Sequence, residues 1–151
     1  MIVSLDFFKK NRKKLKKVVL VGGAFDVIHP GHITHLKEAK SLGNTLVVHI
    51  TGDKRVKEKK GPGRPVFGEK QRAQVVSAIR SVDYVFTYDG RHFDQKVIDA
   101  IKPDVIFFND ESYSGREKEI IDNLKNFHGK IMVSRAKKED SSTRAIGLLK
   151  K

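Results

Sequence analysis

Apolar and polar positions along this chain alternate between short β-branched runs and segments of helical spacing. Val18-Val19-Leu20-Val21 has no polar interruption, the pattern of a strand covered on both faces of a parallel sheet. Pro30 supplies a fixed φ suited to a first helical turn, and Ile33, Leu36, Lys37 and Lys40 follow at helical spacing, predicting a helix over about Gly31 to Leu42. Gly43-Asn44 stops it, and Thr45 to Thr51 reads as a second buried strand. A basic loop with glycines and prolines is predicted from Gly52 to Phe67, then a helix from about Glu69 to Arg80 with Val75, Val76 and Ile79 on one face. Val82 to Thr87, Asp104 to Phe108 and Lys130 to Ser134 complete five strands. Helices over Phe93 to Ile101 and Gly115 to Phe127 separate them, and Ser141-Ser142-Thr143 can cap a last helix.

This alternation predicts an α/β fold, a three-layer sandwich in which a mostly parallel five-stranded sheet is covered on both faces. Ligands of such folds bind beyond the carboxyl ends of the strands. There the first strand runs into Gly22-Gly23, where the backbone can approach a ligand closely, and then into His29 and His32, which straddle a helix N-terminus. Free amides and the helix dipole make that point a phosphate site. By spacing alone, a histidine pair three apart also fits capping, surface packing or a metal pair.

Composition narrows the chemistry. At 151 residues one domain with a single active site is expected, and the absence of cysteine removes disulfides, thiolate catalysis and cysteine metal sites. No run is long enough to span a membrane and the N-terminus lacks the apolar core of a secretory signal, so a soluble cytoplasmic protein is the expectation. The formal charge of +13 calls for anionic partners, and much of it sits in two clusters, Lys9 to Lys17 and Lys54 to Lys60. Residues 1–16 read as a basic N-terminal extension, a solvated helix or arm packed loosely on the domain; recruitment of an acidic partner or membrane surface is the alternative. The lysine run has no interleaved aromatics, which argues against RNA.

The ungapped stretch Gly23-x-Phe25-Asp26-x-x-His29-x-Gly31-His32 resembles the G-x-F-D-x-x-H-x-G-H signature of the cytidylyltransferase-like nucleotidyltransferases. Two further elements, Arg80-Ser81-Val82-Asp83-Tyr84-Val85 and Asp140-Ser141-Ser142-Thr143-Arg144-Ala145-Ile146, are similar to that family's R-Y-V-D-E-V segment and its I-S-S-T-K-I box, with substitutions. For Asp83 the simpler role is to hold the loop before the third strand. The resemblance runs over roughly residues 17 to 150 and implies a Rossmann-like nucleotidyltransferase domain over residues 17–151. It implies nucleotide contacts at Ala24, Phe25, Asp26, His29, Gly31, His32, Asp110, Arg135, Ser141, Ser142 and Thr143, with His29, His32 and Lys57 carrying catalysis. Lys57, Lys60 and Arg72 would meet the acceptor or the triphosphate, Lys59 competing with Lys60; Arg72 alternatively orders the basic loop or forms a surface helix salt bridge, and Asp110 alternatively caps a turn or helix. His35, His49, His92 and His128 match nothing in the signature and read as structural or solvent-facing.

The implied reaction moves a nucleoside monophosphate from a nucleoside triphosphate, with Mg²⁺, onto a phosphorylated small molecule and releases pyrophosphate. Arg80 and Arg135 lean toward CTP and an acceptor such as glycerol phosphate. The Lys57 to Val66 segment, with its Lys-Gly and Arg-Pro-Val, instead resembles the adenylyltransferase domain of ADP-heptose synthases, so ATP with a sugar phosphate, or with FMN, is the alternative. A non-catalytic nucleotide- or RNA-binding module is the reading from another class. Dimerisation is common among such relatives.

Overall fold

Strands β1 (Val18–Gly23), β2 (Thr45–Thr51), β3 (Tyr84–Tyr88), β4 (Val105–Phe108) and β5 (Lys130–Val133) form one sheet in the order β3-β2-β1-β4-β5. Every pairing is parallel. This is a computed structural model of the chain, and it describes residues 1–109, 113, 120, 122, 124 and 127–134. The interconnecting helices are α2 (Pro30–Ser41), α3 (Asp53–Lys60), α4 (Glu69–Ser77) and α5 (Gln95–Ile101), with α1 (Leu5–Asn11) before the sheet.

The uninterrupted apolar strands are explained by two cores. Val19, Val21, Leu46, Val48 and Val85 face Leu36 and Ala39 of α2 and Ala73 and Val76 of α4. Their neighbours Val18, Leu20, Val47 and Phe86 face Phe8 of α1 and Val97, Ile98 and Ile101 of α5. Alternate residues of each strand point to opposite faces, so a strand buried on both must be apolar throughout.

Two expectations are corrected. The stretch after β2 is a helix, α3, up to Lys60, and only residues 61–68 form a loop. Val56, 1% exposed, anchors α3, its Lys, Arg and Glu residues favour helix, and Gly61 at φ 87° ends it. The N-terminal segment is not loosely packed either. Ile2 bridges Val85 in parallel, Val3 N–H donates to Val85 O at 2.9 Å, and Phe8 is fully buried with its ring 5.7 Å from that of Phe86. The lysine run disguises this because Leu5, Phe7, Phe8 and Leu15, before and within it, all pack into the second core while its lysines stay exposed. Most of the helix expected over 115–127, and the one expected to follow Thr143, fall outside the described residues; Ile120 and Leu124 are buried in the second core. Among the described residues no helix is long and apolar enough to cross a membrane.

Candidate functional site

β1 ends in a turn held open by what its glycines lack. A Cβ on Gly22 would lie 2.4 Å from Cγ of His92, and one on Gly23 would lie 2.7 Å from Cε2 of Phe25. Phe25 itself takes φ 48°, a left-handed conformation that non-glycine residues rarely adopt, and its ring is buried 5.1 Å from that of His32. The chain reverses there and enters α2 through His29, whose extended backbone makes it the N-cap. The His29 amide donates to Nδ1 of His32 at 3.3 Å. A neutral His32 therefore carries its proton on Nε2. The two rings sit 3.8 Å apart and 30° from parallel, both half-buried, around Gly31 in the first helical turn. The dipole of α2 adds partial positive charge at this point.

Two buried charges frame the turn. Asp26, 2% exposed, accepts from Val66 N–H at 2.9 Å, Phe67 N–H at 3.0 Å and Arg64 Nε at 2.8 Å. Burial alone would raise its pKa, but the two amides and the guanidinium outweigh that and hold it below the usual carboxylate value. Arg72, 1% exposed, donates to Ala24 O at 2.7 Å, Phe67 O at 2.9 Å and Asp53 Oδ1 at 2.7 Å. One side chain thus ties the β1 turn, the start of α3 and the 61–68 loop together. Of the roles the sequence left to Arg72, this geometry is that of ordering the loop, and its burial excludes a surface salt bridge. Asp26 likewise spends its oxygens on residues 64–67, and Ala24 O on Arg72.

Lys57, Lys59 and Lys60 are exposed on the last turns of α3, where cations suit the helix C-terminus. Register places them relative to the histidines: Gly23 pairs with Ile50, so the β1 turn and the start of α3 leave the sheet side by side at its carboxyl edge. Asp110, Arg135, Ser141, Ser142 and Thr143 lie outside the described residues. Arg80 is exposed and precedes β3, at the amino edge of the sheet, where Asp83 N–H meets Leu46 O. Asp83 has the simpler role foreseen for it, accepting from Leu46 N–H at 2.7 Å and Lys40 Nζ at 2.6 Å.

The sequence missed the floor of this edge. His49 is fully buried, its Nε2 3.0 Å from Tyr88 O and its Nδ1 2.7 Å from Nδ1 of His92, whose Nε2 is 3.1 Å from Thr51 Oγ1. A carbonyl only accepts, so His49 donates to Tyr88 through Nε2, and the Nδ1 of the neutral ring accepts from His92. Burial, assisted by the Arg55 charge, pushes the His49 pKa down to about 4 against the raising effects of Tyr88 O and Asp94, so the His49 ring is neutral near pH 7. Residues 43 apart in sequence give no local signal of such a pair.

The arrangement offers glycine-flanked backbone, two imidazoles at a helix start and lysines on the neighbouring helix, all suited to polyphosphate. Among the described residues no three His, Asp or Glu side chains gather to hold a metal. Comparison with known proteins gives the same direction. The cytidylyltransferase-like family matches residues 20–147. The bifunctional protein HldE of Desulfatibacillum aliphaticivorans is 34% identical over 89% of this chain and 27% of its own length, and that of Gluconobacter oxydans 37% identical over 86% and 27%. The chain thus spans about a quarter of the length of these curated relatives. A lipopolysaccharide core biosynthesis protein from Thermoplasma volcanium superposes with a TM-score of 0.68 at 30% identity, over 83% of this chain and all of the other. A pantoate-beta-alanine ligase from Francisella tularensis, 18% identical, shares the fold with a TM-score of 0.67 over 97% of this chain and 72% of its own.

Proposed function

Because the chain belongs to the cytidylyltransferase-like family, we propose that it transfers a nucleoside monophosphate from a nucleoside triphosphate onto a phosphorylated small molecule, with ATP and a sugar phosphate as the pair. The observation that carries nucleotidyl transfer is the histidine pair on the α2 N-terminus, 3.8 Å between ring centres, set against a glycine turn at the carboxyl edge of a parallel sheet. The likeness to HldE proteins and the resemblance of the Lys57 to Val66 segment to the adenylyltransferase domain of ADP-heptose synthases favour ATP over CTP. The preference for CTP rested on Arg80 and Arg135. Arg80 stands at the opposite edge of the sheet, and Arg135 lies outside the described residues.

In this reaction an anionic oxygen of the acceptor phosphate attacks the α-phosphorus, the bond from that phosphorus to the bridging oxygen breaks, and pyrophosphate leaves with the electron pair. The nucleophile is already charged and needs no base, so the protein's task is alignment and stabilisation of charge moving toward the leaving group. His29 and His32 are assigned to the triphosphate and Lys57 to the phosphates from the α3 side. Mg²⁺ is expected with the nucleotide, where it neutralises phosphate charge. Mg²⁺ of this kind is held largely by phosphate oxygens and water. Pyrophosphate release should be measured with ATP and with CTP against sugar phosphates, glycerol phosphate and FMN. Release with ATP and a sugar phosphate is the expected result; release only with CTP would overturn the nucleotide, and RNA binding without release from any pair would overturn the enzyme.

A further inference from the structure

Apart from the histidine pair, the carboxyl edge of the sheet carries a second feature. A cavity of about 260 Å³ is lined by Lys54, Arg55 and Glu58 of α3 and by Asp89, the residue after β3. None of these four charged side chains forms an ion pair within 4 Å with another described residue, although two are cationic and two anionic. The Nε of Arg55 is shut off from solvent with no hydrogen-bond partner among the described residues. Asp89 is exposed, and its carboxylate reaches over Gly52 at the start of α3, where the missing side chain leaves room for it.

The lining selects its ligand by chemistry. Carboxylates only accept hydrogen bonds, while ammonium and guanidinium groups only donate. A bare anion would meet the two cations but be repelled by Glu58 and Asp89, and a cation would meet the reverse. Hydroxyl groups donate and accept at once, and a neutral cluster of them satisfies all four side chains. Distance supports the same ligand. Gly23 of β1 lies opposite Ile50 of β2, which lies opposite Thr87 of β3. Strands are spaced about 4.8 Å apart, so the histidine turn and the end of β3 are separated by roughly 10 Å across the edge. A phosphorylated sugar can bridge that gap, and inorganic phosphate cannot.

Resting on the nucleotidyltransferase reading, we propose that this cavity is the subsite for the hydroxyl-rich end of the phosphorylated acceptor, with Asp89 and Glu58 accepting from its hydroxyls, Lys54 and Arg55 donating to them, and its phosphate directed toward the histidine turn. Asp89 and Glu58 then decide between sugar phosphates and shorter acceptors.

The test is titration calorimetry on the full chain with a non-hydrolysable ATP analogue present, using glucose 1-phosphate, glycerol 3-phosphate and inorganic phosphate as probes, for wild type, Asp89→Asn and Glu58→Gln. Each substitution should weaken glucose 1-phosphate by roughly 10- to 100-fold, as expected for a lost charge-assisted hydrogen bond, and leave inorganic phosphate and the ATP analogue unchanged. Equal affinities for glucose 1-phosphate in all three proteins, or binding of it no tighter than of inorganic phosphate, would overturn the subsite. Pyrophosphate release from the same samples separates this from the functional reading. Sugar phosphate bound at the cavity with no release from ATP or CTP defeats nucleotidyl transfer and leaves the subsite standing; release with an acceptor KM that neither substitution moves does the opposite.

Discussion

Arg12 and Arg72 do similar work at opposite ends of the sheet, with different consequences. At the amino edge Arg12 donates to Leu15 O, Lys102 O and Asp104, its side chain 20% exposed, and Asp104 also takes the Val18 amide. Lys9, Lys10, Lys13, Lys14, Lys16 and Lys17 around it are exposed, and Lys9 pairs with the surface carboxylate of Asp6, at 3.3 Å. At the carboxyl edge Arg72 is wholly inside, bonded to three segments that would otherwise be independent. Positive charge is abundant at both ends and shapes backbone at both, but of these two arginines only the one at the carboxyl edge is wholly buried. Net charge therefore says that anions are attracted, and burial says where one is held.

The sharpest way to break this contrast is at His32. If the carboxyl edge is the reacting end, His32→Ala should cut turnover by roughly a hundred- to a thousandfold, or about 2.7–4 kcal/mol, with the melting temperature nearly unchanged. Near-normal turnover in a folded variant would remove His32 from catalysis. Arg72→Ala tests the frame rather than the chemistry. It strips partners from two carbonyls and from Asp53, and because Asp53 is half exposed the low end of the range for breaking a buried pair applies, about 3 kcal/mol. For a chain of this size that is a fall of about 6–12 °C in Tm. Arg72→Lys should recover little, since a lysine cannot reach three acceptors in a plane. A thermal scan showing a loss under 1 kcal/mol would make Arg72 no more important than a surface ion pair.

Much of the frame was invisible to pattern reading, for physical reasons. The strands were legible because burial on both faces forces unbroken apolar runs; Thr45–Thr51 appears with the limits its sequence suggested. The histidine turn was legible because it is contiguous. What hid was tertiary. Val56 is a lone apolar residue in α3, too little periodicity to separate a helix from a basic loop, yet its burial settles the matter. Asp26 sits within the signature and reads as a ligand contact, whereas its partners stand about forty residues later. His49 and His92 meet only because β2 and β3 are neighbours.

Asp26→Asn sharpens the contrast by titration. The carboxylate's folded pKa lies below its ordinary 3.8, so its contribution is fully present above the unfolded value and is lost as pH falls through the folded one. Hydrogen bonds to a charged acceptor contribute about 1.5–3 kcal/mol, so wild type should exceed the variant by that amount at neutral pH. The gap should close in acid, below about pH 4. Denaturant curves at pH 7 and pH 3 check it: a gap that does not shrink would mean that shape, and not charge, holds residues 64–67.

The smallest effect is expected where the charge is densest. Lys13→Gln with Lys14→Gln removes two of the exposed cations from the amino edge, where neither side chain is buried and neither lies near the histidine turn. Substitutions at such positions change stability by no more than about 0.5 kcal/mol. Any influence on a nucleotide at the far edge must cross a distance greater than the screening length of about 8 Å at physiological salt. The apparent KM for the triphosphate should therefore match wild type at physiological ionic strength and rise only modestly at low salt, where long-range attraction is unscreened. A large KM change that persists in high salt would show that the amino edge touches the nucleotide, and the division between an attracting end and a holding end would fail.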